Sequence, residues 1–122
     1  MSHTVKVKSV NVTDIECLRA AVSRLALPEL KQGTHRLFDG TTREGLALRL
    51  PNWRYDVVFD IAKGEVLFDN YNGHWGQEIE IDKLVQAYTL EKTAAECRLQ
   101  GFSDIQEEVL ADGAVQLTAT AY

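Results

Sequence analysis

Apolar residues recur along this chain with two periods, and the switches between those periods divide it into elements. Val5 and Val7, with Val10 beyond them, alternate with Lys6 and Lys8, which predicts a first strand with one buried face. Thr13-Asp14-Ile15-Glu16 reads as a capping box in which the Thr13 hydroxyl accepts from the Glu16 backbone N–H. Ile15, Leu18, Val22 and Leu25 follow at helical spacing with Arg19, Ser23 and Arg24 outside, and Pro28 ends that helix. From Gly33 the period drops to two. Thr34 to Phe38 predicts a strand, Asp39-Gly40 a turn, and Leu46, Leu48 and Leu50 an alternating run.

Tyr55, Val57, Phe59 and Ile61 alternate again after the loop Pro51 to Arg54. Pairing these runs around that loop sets Leu50 against Tyr55, Leu48 against Val57 and Leu46 against Phe59 on one face. The same register sets Arg49 against Asp56 on the other, so one pairing satisfies both the core and a charge. A turn at Lys63-Gly64, closing at Ala62 and Glu65, then sets Ile61 against Val66 and Phe59 against Phe68. The reverse face holds Asp56, Val58, Asp60, Leu67, Asp69 and Tyr71. It is too apolar to be fully solvated and too charged for a dry core, so a partner, a ligand or the chain's own terminus is expected to cover part of it.

After the loop Asn70 to Gly76, Ile81, Leu84, Val85 and Tyr88 begin a long second helix. Leu90, Ala94 and Cys97 continue its apolar stripe, displaced by about one position, and Gly101 stops it. The chain closes with a hairpin, Ile105 to Leu110 and Val115 to Ala121. A three-residue Ala111-Asp112-Gly113 turn sets Val109 against Val115. The order β-α-β-β-β-β-α-β-β, with two helices on one face of a largely antiparallel sheet, is a two-layer α+β domain spanning 1–122.

Composition narrows the function classes. The 45% hydrophobic and 25% charged residues are those of a globular chain, and the apolar runs are too short to span a membrane. The start of the chain alternates and lacks a signal-peptide core, so the protein is expected to remain in the cytoplasm, or in an organelle whose genome encodes it. Cys17 and Cys97 stand outside any CxxC pattern and read as reduced thiols on helices. Residues 1–54 carry nine Lys/Arg against five Asp/Glu, 55–100 four against nine, and 101–122 none against four, giving 4 − 5 − 4 = −5. An acidic second half and the lack of a basic run argue against nucleic-acid binding.

No phosphate loop, dinucleotide fingerprint or nucleophile elbow is present, and His3, His35 and His74 have no metal-ligand spacing. The reading therefore implies no catalytic set, no metal and no cofactor, and it leans away from an enzyme. Asp56 and Asp60 share a strand face, but four residues of strand separate them by roughly 13 Å, too far for a carboxylate dyad. Asp69, on the adjacent strand, lies nearer. His74 and Trp75 sit between glycines, where His74 with Asp69 supplies polar groups and Tyr71 with Trp75 a stacking surface. Asp56, Asp60, Asp69, Tyr71, His74 and Trp75 are the candidate ligand- or partner-binding residues.

Short motifs in a fixed order carry a resemblance. They are Met1-Ser2-His3 with Lys6 and Lys8, the Leu18-to-Leu25 helix, Tyr55-Asp56, Asp69, Trp75-Gly76, Tyr88, and Gly101-Phe102 before Glu107-Glu108-Val109 and Asp112-Gly113. In these the chain resembles, over nearly its whole length, the hypothetical chloroplast open reading frame 35 family, the domain of unknown function 1257, of cyanobacteria, algal plastids and other bacteria. It departs at Thr4, where that family favours an aromatic, and in the wider spacing of Asp69 and Trp75. The resemblance implies no established activity and no catalytic residues. The family's association with genes for AAA+ ATPases implies an accessory or adaptor role with such an ATPase as partner. The residues themselves leave three readings: a non-catalytic binding domain, a small enzyme or ligand-binding domain with a pocket at Asn70 to Trp75, and a self-associating homo-oligomer.

Overall fold

The computed structural model describes residues 5–6, 11–37, 41–69, 76–111 and 115–121. Its elements are β1 (Val5–Lys6), α1 (Ile15–Arg24), β2 (Lys31–Arg36), β3 (Thr42–Leu48), β4 (Val57–Asp60), β5 (Glu65–Phe68), α2 (Glu78–Leu99), β6 (Phe102–Val109) and β7 (Val115–Ala121). This is the α+β order read from the sequence. The first five strands form one antiparallel sheet in the order β1-β5-β4-β3-β2. The β6–β7 hairpin is a sheet of its own, lying against α2.

The expected β3–β4 pairing is observed, with Leu46 opposite Phe59 and Leu48 opposite Val57. The side chains of Leu46, Leu48, Val57, Phe59, Val66 and Phe68 on one sheet face join Leu18, Ala21 and Val22 of α1 and Ile81, Leu84, Ala87 and Tyr88 of α2 in a single core. Each fully buried large side chain there contributes about 1.5–3 kcal/mol. The expected Leu50–Tyr55 pair does not form. The ladder stops at Leu48, Asn52 turns the chain with φ 65°, and the Trp53 N–H bonds the Leu50 carbonyl. Leu50 enters the core, while Tyr55 stays half-buried.

The β4–β5 register differs from the expectation by two residues, pairing Phe59 with Val66 and Asp60 with Glu65. A four-residue turn replaces the tight one because Asp60 Oδ1 accepts from the Lys63 N–H at 3.3 Å and Gly64 turns at φ 70°. A shift of two preserves facing, so the core is unchanged. β2 begins at Lys31, three residues earlier than Thr34, since Lys31 to Gly33 pair with Ala47 to Gly45. Val7, Val10, Phe38, Asp39-Gly40 and Asp112-Gly113 lie outside the described residues, whereas Val109 does pair with Val115.

Asp14, not Thr13, caps α1. Its backbone is extended, and its Oδ1 accepts from the Cys17 N–H at 3.1 Å. The Tyr88 hydroxyl accepts from the Thr13 and Asp14 N–H groups, at 3.3 and 3.2 Å, and Lys92 Nζ reaches Asp14 Oδ2 at 3.2 Å. Arg24, at the other end of α1, bridges Glu91 of α2 and Glu107 of β6. Burial raises the Cys17 thiol above its ordinary value, in keeping with a reduced thiol used as a small hydrophobe.

β2 and β3 bend together where Gly33 pairs with Gly45. Gly33 has φ 150°, which side-chain-bearing residues rarely adopt. Gly45 packs so closely on the Phe59 carbonyl that a Cβ there would overlap it. A glycine inside a strand pattern marks this kind of close backbone approach.

Tyr88→Phe is expected to cost about 1–2 kcal/mol in urea unfolding, since it leaves two backbone donors without their acceptor. Asp14→Ala is expected to cost about 1 kcal/mol at pH 7. The backbone bond from Cys17 lowers the Asp14 carboxyl from its ordinary value, so its contribution is present above pH ~4 and lost as pH falls through the depressed value. Unfolding curves of the two proteins should accordingly converge in acid. Gly45→Ala is expected to cost about 2–4 kcal/mol, because the Phe59 backbone must move, and an unchanged midpoint would rule the close approach out.

Candidate functional site

The bend carries the far end of the β2–β3 arm over the reverse face of the sheet. In a flat sheet His35, opposite Arg43, would lie four residues along and two strands across from Val58, roughly 13 Å by 10 Å away. Instead, Thr34, His35, Arg36 and Leu37 of the arm line one cleft, of about 250 Å³, with Arg49, Tyr55, Asp56, Val58 and Asp69 of the sheet. The apolar residues of that face, Ala47, Val58 and Leu67, are as buried as the core. One wall over the reverse face is therefore the chain's own arm.

Polar groups in the cleft are unequally committed. Arg49 Nε donates to Asp56 Oδ1 at 2.6 Å, the pairing expected from the strand register. Asp69 is 5% exposed and is partnered within the chain. The His35 Nε2 bonds the Lys31 carbonyl at 2.9 Å. A carbonyl only accepts, so Nε2 carries the proton and Nδ1 is left toward other partners. Thr34 and Arg36, paired with Glu44 and Thr42, are exposed on the other face of the arm.

The three candidate carboxylates are not brought together. Asp56 and Asp69 share the cleft, while Asp60 is held apart by Arg43 Nη1 at 3.0 Å and the Lys63 N–H. Arg43 also reaches Glu65 at 2.9 Å, and these two carboxylates, Glu65 first, raise its guanidinium above the ordinary value. Asp60 is thus a satisfied buried anion, with its charge neutralised and each oxygen accepting a hydrogen bond. Tyr71, His74 and Trp75 lie outside the described residues. Among the described residues no group of three or more His, Cys, Asp and Glu side chains is placed to hold a metal ion, and no helix is long and apolar enough to cross a membrane.

Trp53 is the residue whose importance the pattern conceals. Placed in a loop by its neighbours Pro51 and Asn52, it is 4% exposed, with its ring 5.7 Å from Phe68 in an edge contact at 73°. The Gly76 backbone lies against the same ring, where a Cβ would overlap it. Trp53 thereby touches both Phe68 at the end of β5 and Gly76 just before α2. The arm residue His35 was equally concealed. Its signal is the pair of strand glycines, Gly33 and Gly45, which acquires meaning only once the two are opposite one another. Comparison of the chain with protein-family models, with curated proteins and with solved structures finds no match.

Proposed function

We propose that this chain is a non-catalytic binding domain that takes a protein partner on the reverse face of its sheet. The observation that carries this reading is the cleft under the β2–β3 arm, where an apolar floor at Val58 is ringed by His35, Arg49, Tyr55 and Asp56. A small apolar centre inside a polar rim with Arg and Tyr is the composition of a partner-binding patch. At about 250 Å³ the cleft is below the usual range for a small-molecule pocket, and it suits one side chain of a larger partner. His35 is tied to the Lys31 carbonyl, and Asp56 to Arg49, so neither is poised beside a nucleophile.

The resemblance to the chloroplast open reading frame 35 family adds, by analogy, the class of partner to try first, an AAA+ ATPase. The test is size-exclusion chromatography of the purified chain with each AAA+ ATPase encoded by its own genome. Co-elution is expected with one of them, and Arg49→Glu combined with Tyr55→Ala should abolish it while leaving the thermal midpoint within a few degrees. Strictly monomeric elution beside every candidate, or a complex indifferent to both substitutions, would remove this reading.

A further inference from the structure

Each sheet has two open edges among the described residues, β1 and β2 on the larger sheet and β6 and β7 on the hairpin. An open edge offers unpaired backbone N–H and C=O groups to any other strand, and proteins guard such edges with short strands, charges or irregular backbone. Three of these four are guarded. β1 is two residues long, β2 carries Lys31, His35, Arg36 and the φ 150° of Gly33, and β6 carries Asp104, Glu107 and Glu108 with a register shift after Phe102. β7 is seven residues, Val115–Ala121, without a charge, a proline or a glycine. Its outward backbone groups make no hydrogen bond among the described residues. It is also the outer strand of the hairpin, because α2 lies chiefly against β6 and Arg24 of α1 reaches that same strand at Glu107.

We infer that the edge of β7 is where two copies of this chain join, as antiparallel neighbours in a four-stranded sheet β6-β7-β7-β6. This surface belongs to the hairpin and is independent of the partner proposed for the cleft. A two-fold axis at Thr118 is the one that engages all seven residues of both strands, and it sets Gln116 opposite Thr120 and Leu117 opposite Ala119. Half-buried Leu117 and Ala119 then meet on the helix side, which they share with Glu107, and exposed Gln116, Thr118 and Thr120 meet on the other. A second copy is the occupant that charge and closure select. Two neutral β7 strands meet without repulsion, and their pairing leaves only the acidic, guarded β6 edges outside, which stops growth at two copies. The two β6 strands then stand three strand spacings apart, roughly 14 Å, against about 10 Å between packed helices, so the two α2 helices lie side by side without collision. A lone two-stranded hairpin is marginal, and the shared sheet supplies the strands it lacks. Seven residues a side fall short of the roughly 20–30 of a standard interface, so the dimer is reversible and its mass depends on concentration.

The test is sedimentation velocity of the purified full chain over a range of concentrations, in which the mass is expected to rise from one chain toward two. Thr118→Lys puts like charges directly opposite each other on the axis and should weaken association about fivefold or more, as should Thr118→Glu. An equimolar mixture of those two variants should recover it, because opposite charges then face each other across the axis. Thr34→Lys, which adds the same charge to the exposed outer strand of the larger sheet, should leave association unchanged. Thr118 is exposed, so both of its variants should keep the wild-type thermal midpoint within a few degrees, and either one alone reads the loss should the other not fold. A one-chain mass at every concentration overturns the inference, as does equal weakening by Thr34→Lys and Thr118→Lys, or a mixture that fails to recover. Arg49→Glu combined with Tyr55→Ala should leave the dimer intact. Loss of the dimer in that variant would assign self-association to the cleft, and the β7 edge would fall.

Discussion

The rung formed by Leu46, Phe59 and Val66 across β3, β4 and β5 is the constraint on which the other contacts depend. It puts the large side chains of the three strands on one face, under α1 and α2, and consigns every alternate residue to the other. A slip of one residue between β3 and β4 would exchange Leu46 and Leu48 for Gly45 and Ala47 in that core, and bring Arg49 toward it. A slip of two would not, since facing repeats every second residue. That asymmetry explains why the β4–β5 turn can be longer than its Lys63-Gly64 sequence implies while the core stays the same.

Covering one face creates the second problem of the fold. The central strands also carry Ala47, Val58 and Leu67, which water penalises, beside Asp60 and Asp69, which a dry interior penalises. Charged residues on the arm and sheet answer the second cost. Arg43 neutralises Asp60, and Arg49 neutralises Asp56, while the buried Asp69 keeps one oxygen, Oδ2, without a hydrogen-bond partner among the described residues. Bending at Gly33 and Gly45 answers the first, by bringing the arm across Val58. The two surfaces meet through charged groups rather than interlocking apolar ones, and a cleft persists between them.

What the pattern of residues revealed, and what it hid, follows from the range of each interaction. Alternation in Leu46–Leu48–Leu50 and Val57–Phe59 identifies strands, facing and the Arg49–Asp56 pair, because those relations lie within a hairpin. Both helices were visible in helically spaced apolar residues, α1 as one stripe and α2 as two stripes displaced from each other. The cap of α1 was misplaced by one position because Thr13 and Asp14 are both competent. The choice falls to Tyr88, whose hydroxyl, 75 residues away in sequence, takes the Thr13 N–H while Asp14 accepts from Cys17. The cleft was hidden for the same reason. Asp56 and Asp69 were recognisable as unusual on a mixed face, but His35 meets them only through the bend, and Trp53 is an anchor only through its contacts with Phe68 and Gly76.

The displaced stripe of α2 shows how the remaining elements are joined to this sheet. Ile81, Leu84, Ala87 and Tyr88 pack into the main core, and beyond Glu91 and Lys92 the helix turns a different face, with Ala94 buried, as it reaches the β6–β7 hairpin. One straight helix serving two partners in succession needs its apolar residues on two faces, so a single seam would have failed. Arg24 stitches the arrangement where the partners meet, holding Glu91 of α2 and Glu107 of β6 from the end of α1. Being only ten residues long, α1 has little stability of its own, and it is held at both ends by α2 and the hairpin. All of this bracing lies on the helix side of the sheet. The cleft opens on the opposite face of the sheet, and Phe68 is the residue by which it adjoins the core.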